Sequence, residues 1–170
     1  MRITRKWAMP NADTFSIAPI ASLLDTYLKN KEVIVDPFAR NSKRATITND
    51  LNPNTTAQYH LLAEKFLENA PMIADVVLFD PPYSPRQISE VYQSVGIKVG
   101  MKETQSASMY KTVKDGLDAM LKPNGIAICF GWNSMGFGLT RGYEMIELLL
   151  VPHGGAHNDT IVTVERKIVK

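Results

Sequence analysis

Cysteine is almost missing from this chain: the 170 residues hold one, Cys129, set in an apolar run. That excludes a disulfide framework and fits a reducing compartment with a packing role for the thiol. Long apolar runs are missing too. None approaches the ~20 residues of a membrane span, so no membrane partner is expected. Met1 to Lys6 is basic, but no apolar signal core follows it, and the expected location is the cytoplasm. Charge of one sign is not in excess. A net charge of +2 demands no nucleic-acid partner, although basic residues can still gather on one face. Internal repeats and linkers are absent as well. What remains is ordinary globular composition, 45% hydrophobic and 21% charged. It is enough for one domain over residues 1–170 and too short for two.

The most informative stretch is Val76-Val77-Leu78-Phe79-Asp80-Pro81-Pro82-Tyr83. The unbroken Val-rich run reads as a strand buried on both faces, as in the middle of a parallel sheet. The prolines end it, because they fix φ and cannot donate to a ladder. Asp80 and Tyr83 therefore stand at the carboxyl end of a central strand, where open α/β sheets bind their ligands.

The other elements fall into place around that strand. Pro19 opens a helix that carries Ile20, Leu23, Leu24, Tyr27 and Leu28 at helical spacing. Val33 to Val35 is a buried strand ended by Asp36-Pro37-Phe38. Residues 45–48 form a second strand ending at Asp50, and residues 58–61 a short third. Residues 64–70 form a short helix over Phe66 and Leu67. Ser84-Pro85-Arg86-Gln87 reads as a capping box, and Gly96 stops the helix it opens. Residues 97–105 are a polar, flexible loop. A second amphipathic helix carries Met109, Val113, Leu117, Met120 and Leu121. Lys122 to Gly125 is a turn before a strand over residues 126–130. Residues 131–142 form a mobile Gly-rich loop, and residues 143–151 and 160–164 are two closing strands. Strands alternating with helices, then a closing strand pair, indicate an α/β fold with an open, mostly parallel sheet.

Asp36, Asp50 and Asp80 each end a predicted strand, so all three line one sheet edge. Single strand-end aspartates usually just cap turns; three in succession, one followed by Pro-Pro-Tyr, indicate a site. His153 and His157 stand four apart in a Gly-rich loop with no further ligand pattern, so no metal site is expected, only a floppy rim. Trp7, Trp132 and Phe137 are candidates for base stacking, against the simpler reading as core. Arg40, Lys43 and Arg44 are candidates for phosphate contact, against a solvated face.

Asp80-Pro81-Pro82-Tyr83 resembles the catalytic motif of amino-methyltransferases, above all those acting on N6 of adenine in DNA. In its order of segments the whole chain resembles the class I S-adenosylmethionine-dependent methyltransferases. Residues 153–164 are similar to the closing hairpin of small phage-encoded adenine methylases. The resemblance implies a Rossmann-like fold: a seven-stranded, mostly parallel sheet with helices on both faces and an antiparallel closing hairpin. It implies S-adenosylmethionine as cofactor and adenine-containing DNA as partner, with a homodimer possible and the host cytoplasm as location.

The resemblance also distributes roles. Asp13, Thr14, Phe15 and Ser16 fall in the segment that lies against the methionine end of the cofactor. Asp36, Pro37 and Phe38 fall in the first strand and cofactor loop. Asp50, followed by Leu51, stands where an acid holds the ribose hydroxyls. Asp80, Pro81, Pro82 and Tyr83 are the catalytic group, with Asp80 also facing the cofactor. Two positions depart from the pattern. Arg40-Asn41-Ser42 replace the glycines of the cofactor loop, and Leu62 stands where an acid often meets the cofactor adenine. These departures motivate a rival, a methyltransferase-like binding or regulatory module. A methyltransferase of RNA or of a protein amide is the other alternative. No large target-recognition region is present, so any sequence preference is expected to be short or loose.

Overall fold

The computed structural model describes residues 1–68, 73–83, 85–96 and 106–168. The expected loop at 97–105, Ser84 of the capping box and the end of the 64–70 helix lie outside them. At the centre is β4 (Ala74–Phe79), whose alternate side chains enter two apolar layers: Val76 and Leu78 one, Val77 and Phe79 the other. It runs parallel to β2 (Ile34–Asp36) on one side and β5 (Leu121–Gly131) on the other. β2 carries β3 (Ile47–Thr48) in parallel. Beyond β5, β7 (Thr160–Lys167) is antiparallel to both β5 and β6 (Tyr143–Val151). β1 (Arg2–Arg5) pairs in parallel with β6. The seven strands stand in the order β1-β6-β7-β5-β4-β2-β3. This is the Rossmann-like sheet with a closing antiparallel hairpin that the sequence implied.

Helices cover both faces. α1 (Ala18–Leu28) buries Ile20, Leu23 and Leu24 against the layer of Val76, Leu78 and Ile128. α2 (Ala63–Glu68) and α4 (Ser106–Met120) bury Phe66, Val113 and Leu117 against Val77, Phe79 and Cys129 on the other face. α3 (Pro85–Ser94) follows β4 and turns Ile88 fully inward. Gln87 reaches back to accept the Tyr83 N–H at 2.7 Å.

The count of seven strands is right, but one member is different. The expected third strand at residues 58–61 is a single bridge, Asn49 to Tyr59. The reason is Asn49. Its side-chain amide accepts the Leu61 N–H at 3.0 Å and donates to the carbonyls of Leu61 and Pro37. A side chain thus does what a ladder would do. The seventh strand is β1, where no apolar alternation was visible: an edge strand with three of four residues exposed needs none.

Three loop expectations change as well. Leu121, expected on the helix, opens β5 by pairing with Ala74, and residues 122–125 do not end a helix and turn but bulge within β5, between the pairs Ala74–Leu121 and Val76–Ile126. The 131–142 loop is anchored rather than mobile. Phe137 is buried, and the fully buried Glu165 carboxylate accepts the N–H groups of Phe137 (2.5 Å) and Gly138 (3.0 Å). Gly136 (φ +50°) makes this possible, since a Cβ there would collide with Glu165.

His153 is not part of a floppy rim. It is buried, with Nδ1–H donating to the Ala8 carbonyl and Nε2 accepting from the Thr160 hydroxyl, both at 2.8 Å. It fastens the strap after β1 to the start of β7. His153→Ala is expected to cost about 1–3 kcal/mol, the range for buried groups left without partners. Urea unfolding of the variant checks this, and an unchanged midpoint would contradict it. No helix among the described residues is long and apolar enough to cross a membrane.

Candidate active site

The site follows from three neighbouring strands that stop together. The registers Asp36–Thr48 and Val35–Val77 place the ends of β3, β2 and β4 side by side. Asp36, Asp50 and Asp80 therefore meet at the carboxyl edge of the sheet. Burial pushes the Asp36 carboxyl up to about 8, against the pull of the Phe38 N–H, and the Asp80 and Asp50 charges add to the rise. Burial also pushes Asp80 up to about 7; the Thr14 hydroxyl and the Arg40 guanidinium oppose this, and Asp13 adds to it. Crowded carboxylates in a low-dielectric edge do this generally, and such perturbation is a mark of functional sites.

Two cavities open onto Asp80. The larger, about 430 Å³, is lined by Asp80, Pro81, Pro82 and Tyr83. Pro37, Phe38, Asp50, Leu51 and Leu62 line it too. The smaller, about 200 Å³, lies between Asp13, Thr14 and Phe15 on one side and the loop from Phe38 to Ser42 on the other. Thr14, Phe38, Arg40 and Asp80 line both.

Local chemistry fixes each group. Asp50 is nearly buried; its Oδ2 accepts the Arg40 N–H at 3.0 Å and its Oδ1 the Asn52 N–H at 2.9 Å. A carboxylate oxygen takes two bonds, so one acceptor position per oxygen remains. Asp13 caps a turn of 3₁₀ helix, Thr14–Ser16, by accepting the Phe15 N–H. Phe15 packs on Phe130 with centroids 4.8 Å apart, which holds that turn on the sheet. The Tyr83 hydroxyl donates to Asp80 Oδ1, and the Tyr110 hydroxyl to the Pro82 carbonyl. Tyr83 also leans on the half-exposed Trp132, centroids 5.6 Å apart and tilted 41°.

Most of the sequence-predicted site residues come together here, with two exceptions. Ser16 is exposed and turned back, its hydroxyl donating to the Asp13 carbonyl. Asp36 is fully buried and lines neither cavity; its Oδ1 accepts the Phe38 N–H, and its Oδ2 has no partner among the described residues. Of the candidate stacking aromatics only Trp132 stands beside Tyr83. Phe137 is core, packed on Phe79 and Tyr143. Arg44 pairs with Asp25, away from the cavities.

Sequence reasoning missed Arg40 and Glu64 as cavity residues. The signal for Arg40 was its place in the glycine gap of the cofactor loop. Glu64 lines the larger cavity two residues beyond Leu62, so an acid is present in that segment after all. Among the described residues there is no cluster of three or more metal-ligating side chains.

No protein-family model matches the chain, and no curated protein matches it by sequence. Solved structures do match in fold. NSun6 from Pyrococcus horikoshii, crystallised with SFG, aligns with a TM-score of 0.59 at 14% identity. The match covers 87% of this chain and 51% of that one, so this chain spans about half the length of NSun6. The N-methyltransferase NodS from Bradyrhizobium japonicum WM9, in complex with S-adenosyl-L-homocysteine, gives 0.59 at 12% identity over 92% of this chain and 89% of its own. An rRNA methylase from Streptococcus thermophilus gives 0.58 at 10% identity over 95% and 100%. The shared feature is the class I methyltransferase fold.

Proposed function

We propose that this chain transfers a methyl group from S-adenosylmethionine to N6 of adenine in DNA, with a short or loose sequence preference. The small phage-encoded adenine methylases are the type its closing hairpin resembles. One observation carries the reading: Asp80-Pro81-Pro82-Tyr83 and Asp50 line one cavity. A donor-binding group and an acceptor-binding group thus face one space. The fold's likeness to NodS with its bound S-adenosyl-L-homocysteine, and to an rRNA methylase, supports methyl transfer as the class of reaction.

The residues fit the cofactor. About 430 Å³ is an ordinary size for a small-molecule site. The spare acceptor positions of Asp50 suit a pair of ribose hydroxyls, Phe38, Leu51 and Leu62 suit a flat ring, and Glu64 suits an exocyclic amine. The cofactor supplies a methyl group activated by positive sulfur. Everything else falls to the chain. The Asp80 carboxylate and the Pro81 carbonyl each accept one N6–H, which favours a pyramidal nitrogen with its lone pair free. Tyr83 leaves the Asp80 oxygen when the amine arrives and stacks on the base. Once nitrogen gains the methyl group it must lose a proton, and the Asp80 carboxylate is beside it, its affinity for protons raised by burial. Positioning carries most of the rate.

Tritiated methyl transfer onto DNA, RNA and protein, run side by side, tests the reading. Incorporation into DNA adenine supports it. Incorporation into RNA or protein alone would replace the acceptor. Cofactor binding without transfer to any acceptor would favour the binding-module rival. Asp50→Ala is expected to weaken S-adenosylmethionine binding by about 1.5–3 kcal/mol, the range for hydrogen bonds to a charged group. Calorimetric titration giving an unchanged affinity would move the ribose elsewhere.

A further inference from the structure

Arg40 is held in the left-handed region, at φ +50°. For a residue with a Cβ that conformation costs about 1–2 kcal/mol, and glycine adopts it freely. A strained arginine at such a position calls for a use of its side chain. Arg40 lines both cavities, as does Ala12, and its Nη1 donates to the Ala12 carbonyl at 2.7 Å. Among the described residues Arg40 is the single cation lining the smaller cavity, and Asp13 and Asp80 are its acids. Their charges are close enough to be felt at Asp80, which Arg40 pulls down and Asp13 pushes up.

A small polar cavity with one guanidinium and two carboxylates is made for a group bearing both charges. An α-amino-acid end has this character: its carboxylate suits the guanidinium and its ammonium suits the acids. A guanidinium has five N–H donors; one is spent on Ala12, and the others can serve a carboxylate. The smaller cavity adjoins the larger one along Thr14, Phe38 and Asp80, so a nucleoside in the larger could extend its tail into the smaller. We infer that Arg40 binds the carboxylate of the amino-acid end of the nucleoside cofactor and takes over the cofactor-loop task that glycine backbone performs elsewhere. This rests on the cofactor reading above and assigns one residue within it.

The test separates the tail from the nucleoside. Wild type, Arg40→Ala and Arg40→Gly are titrated calorimetrically with S-adenosylhomocysteine and with 5′-methylthioadenosine, which lacks the amino-acid end. Both variants should bind S-adenosylhomocysteine about tenfold or more weakly, while 5′-methylthioadenosine binding changes less than about twofold. Arg40→Gly should also melt no lower than wild type, because glycine relieves the backbone. Equal losses for both ligands would mean that the contact to Ala12 only shapes the loop, and would overturn the proposal. So would unchanged binding of S-adenosylhomocysteine. A wild type that binds neither ligand would overturn the cofactor reading itself, and this assignment with it.

Discussion

Asp80→Ala should lower methyl transfer by about 10²–10⁴-fold, the range for losing one positioned acid–base or electrostatic group. Cofactor affinity should fall far less than the rate, because Asp50 and the apolar residues remain and Asp13 still serves the ammonium end. The protein should not be less stable. An acid whose folded value is raised to about 7 from the ordinary 3.8 binds its proton more tightly folded than unfolded. Its contribution to stability is therefore full below about 4 and is lost as pH rises through 7. At pH 8 the charged Asp80 works against the fold, so the alanine variant should melt at or above the wild-type temperature. Near-normal turnover in a folded variant would remove Asp80 from the chemistry.

The same titration sets the pH profile. Only the carboxylate accepts the amine hydrogen, so the rate should fall about tenfold per unit as pH drops below about 7. Asp80→Asn keeps one acceptor oxygen but cannot titrate. It should be slow and free of that break. A wild-type profile flat from pH 5 to 8 would show that the group in the rate-limiting step is not Asp80.

What could be read in advance follows from where the physical signal lay. The central strand and its aspartate were legible because burial on both faces leaves an unbroken apolar run, and prolines mark its end. The meeting of Asp36, Asp50 and Asp80 followed from parallel strands sharing one edge. β1 was not legible, because an exposed edge strand carries no apolar pattern. The third strand was misread because Asn49 bonds the 58–61 segment through its side chain, which no periodicity reveals. The anchoring of the 131–142 loop depends on Glu165, 28 residues beyond Phe137 in the chain. Arg40 was visible as a missing glycine and as a candidate phosphate contact; its reach to Ala12 is a tertiary fact.

Unpaired adenines should react faster than paired ones, by roughly a hundredfold. Extruding a paired base costs a few kcal/mol, and about 3 kcal/mol corresponds to that factor in rate. A sequence-reading enzyme offsets such a cost with contacts along the groove. Here the described loop nearest the base site, residues 131–142, is tied down by Phe137 and Glu165, and Trp132 is the aromatic it presents beside Tyr83. Affinity for duplex DNA should then come mainly from phosphates and fall steeply with salt, with a log–log slope near −0.9 per phosphate neutralised. Tyr83→Ala should slow single-stranded and duplex substrates alike, because stacking on the free base is needed in both. Trp132→Ala should also slow both, by less, since it supports Tyr83 from the side. Mapping methylated adenines across a plasmid, with a mismatched oligonucleotide alongside, decides the matter. Methylation in many contexts with mismatched sites ahead is the expected result. A single fixed motif of four or more bases, modified to completion while other adenines stay untouched, would mean that a second subunit or the 97–105 segment reads sequence.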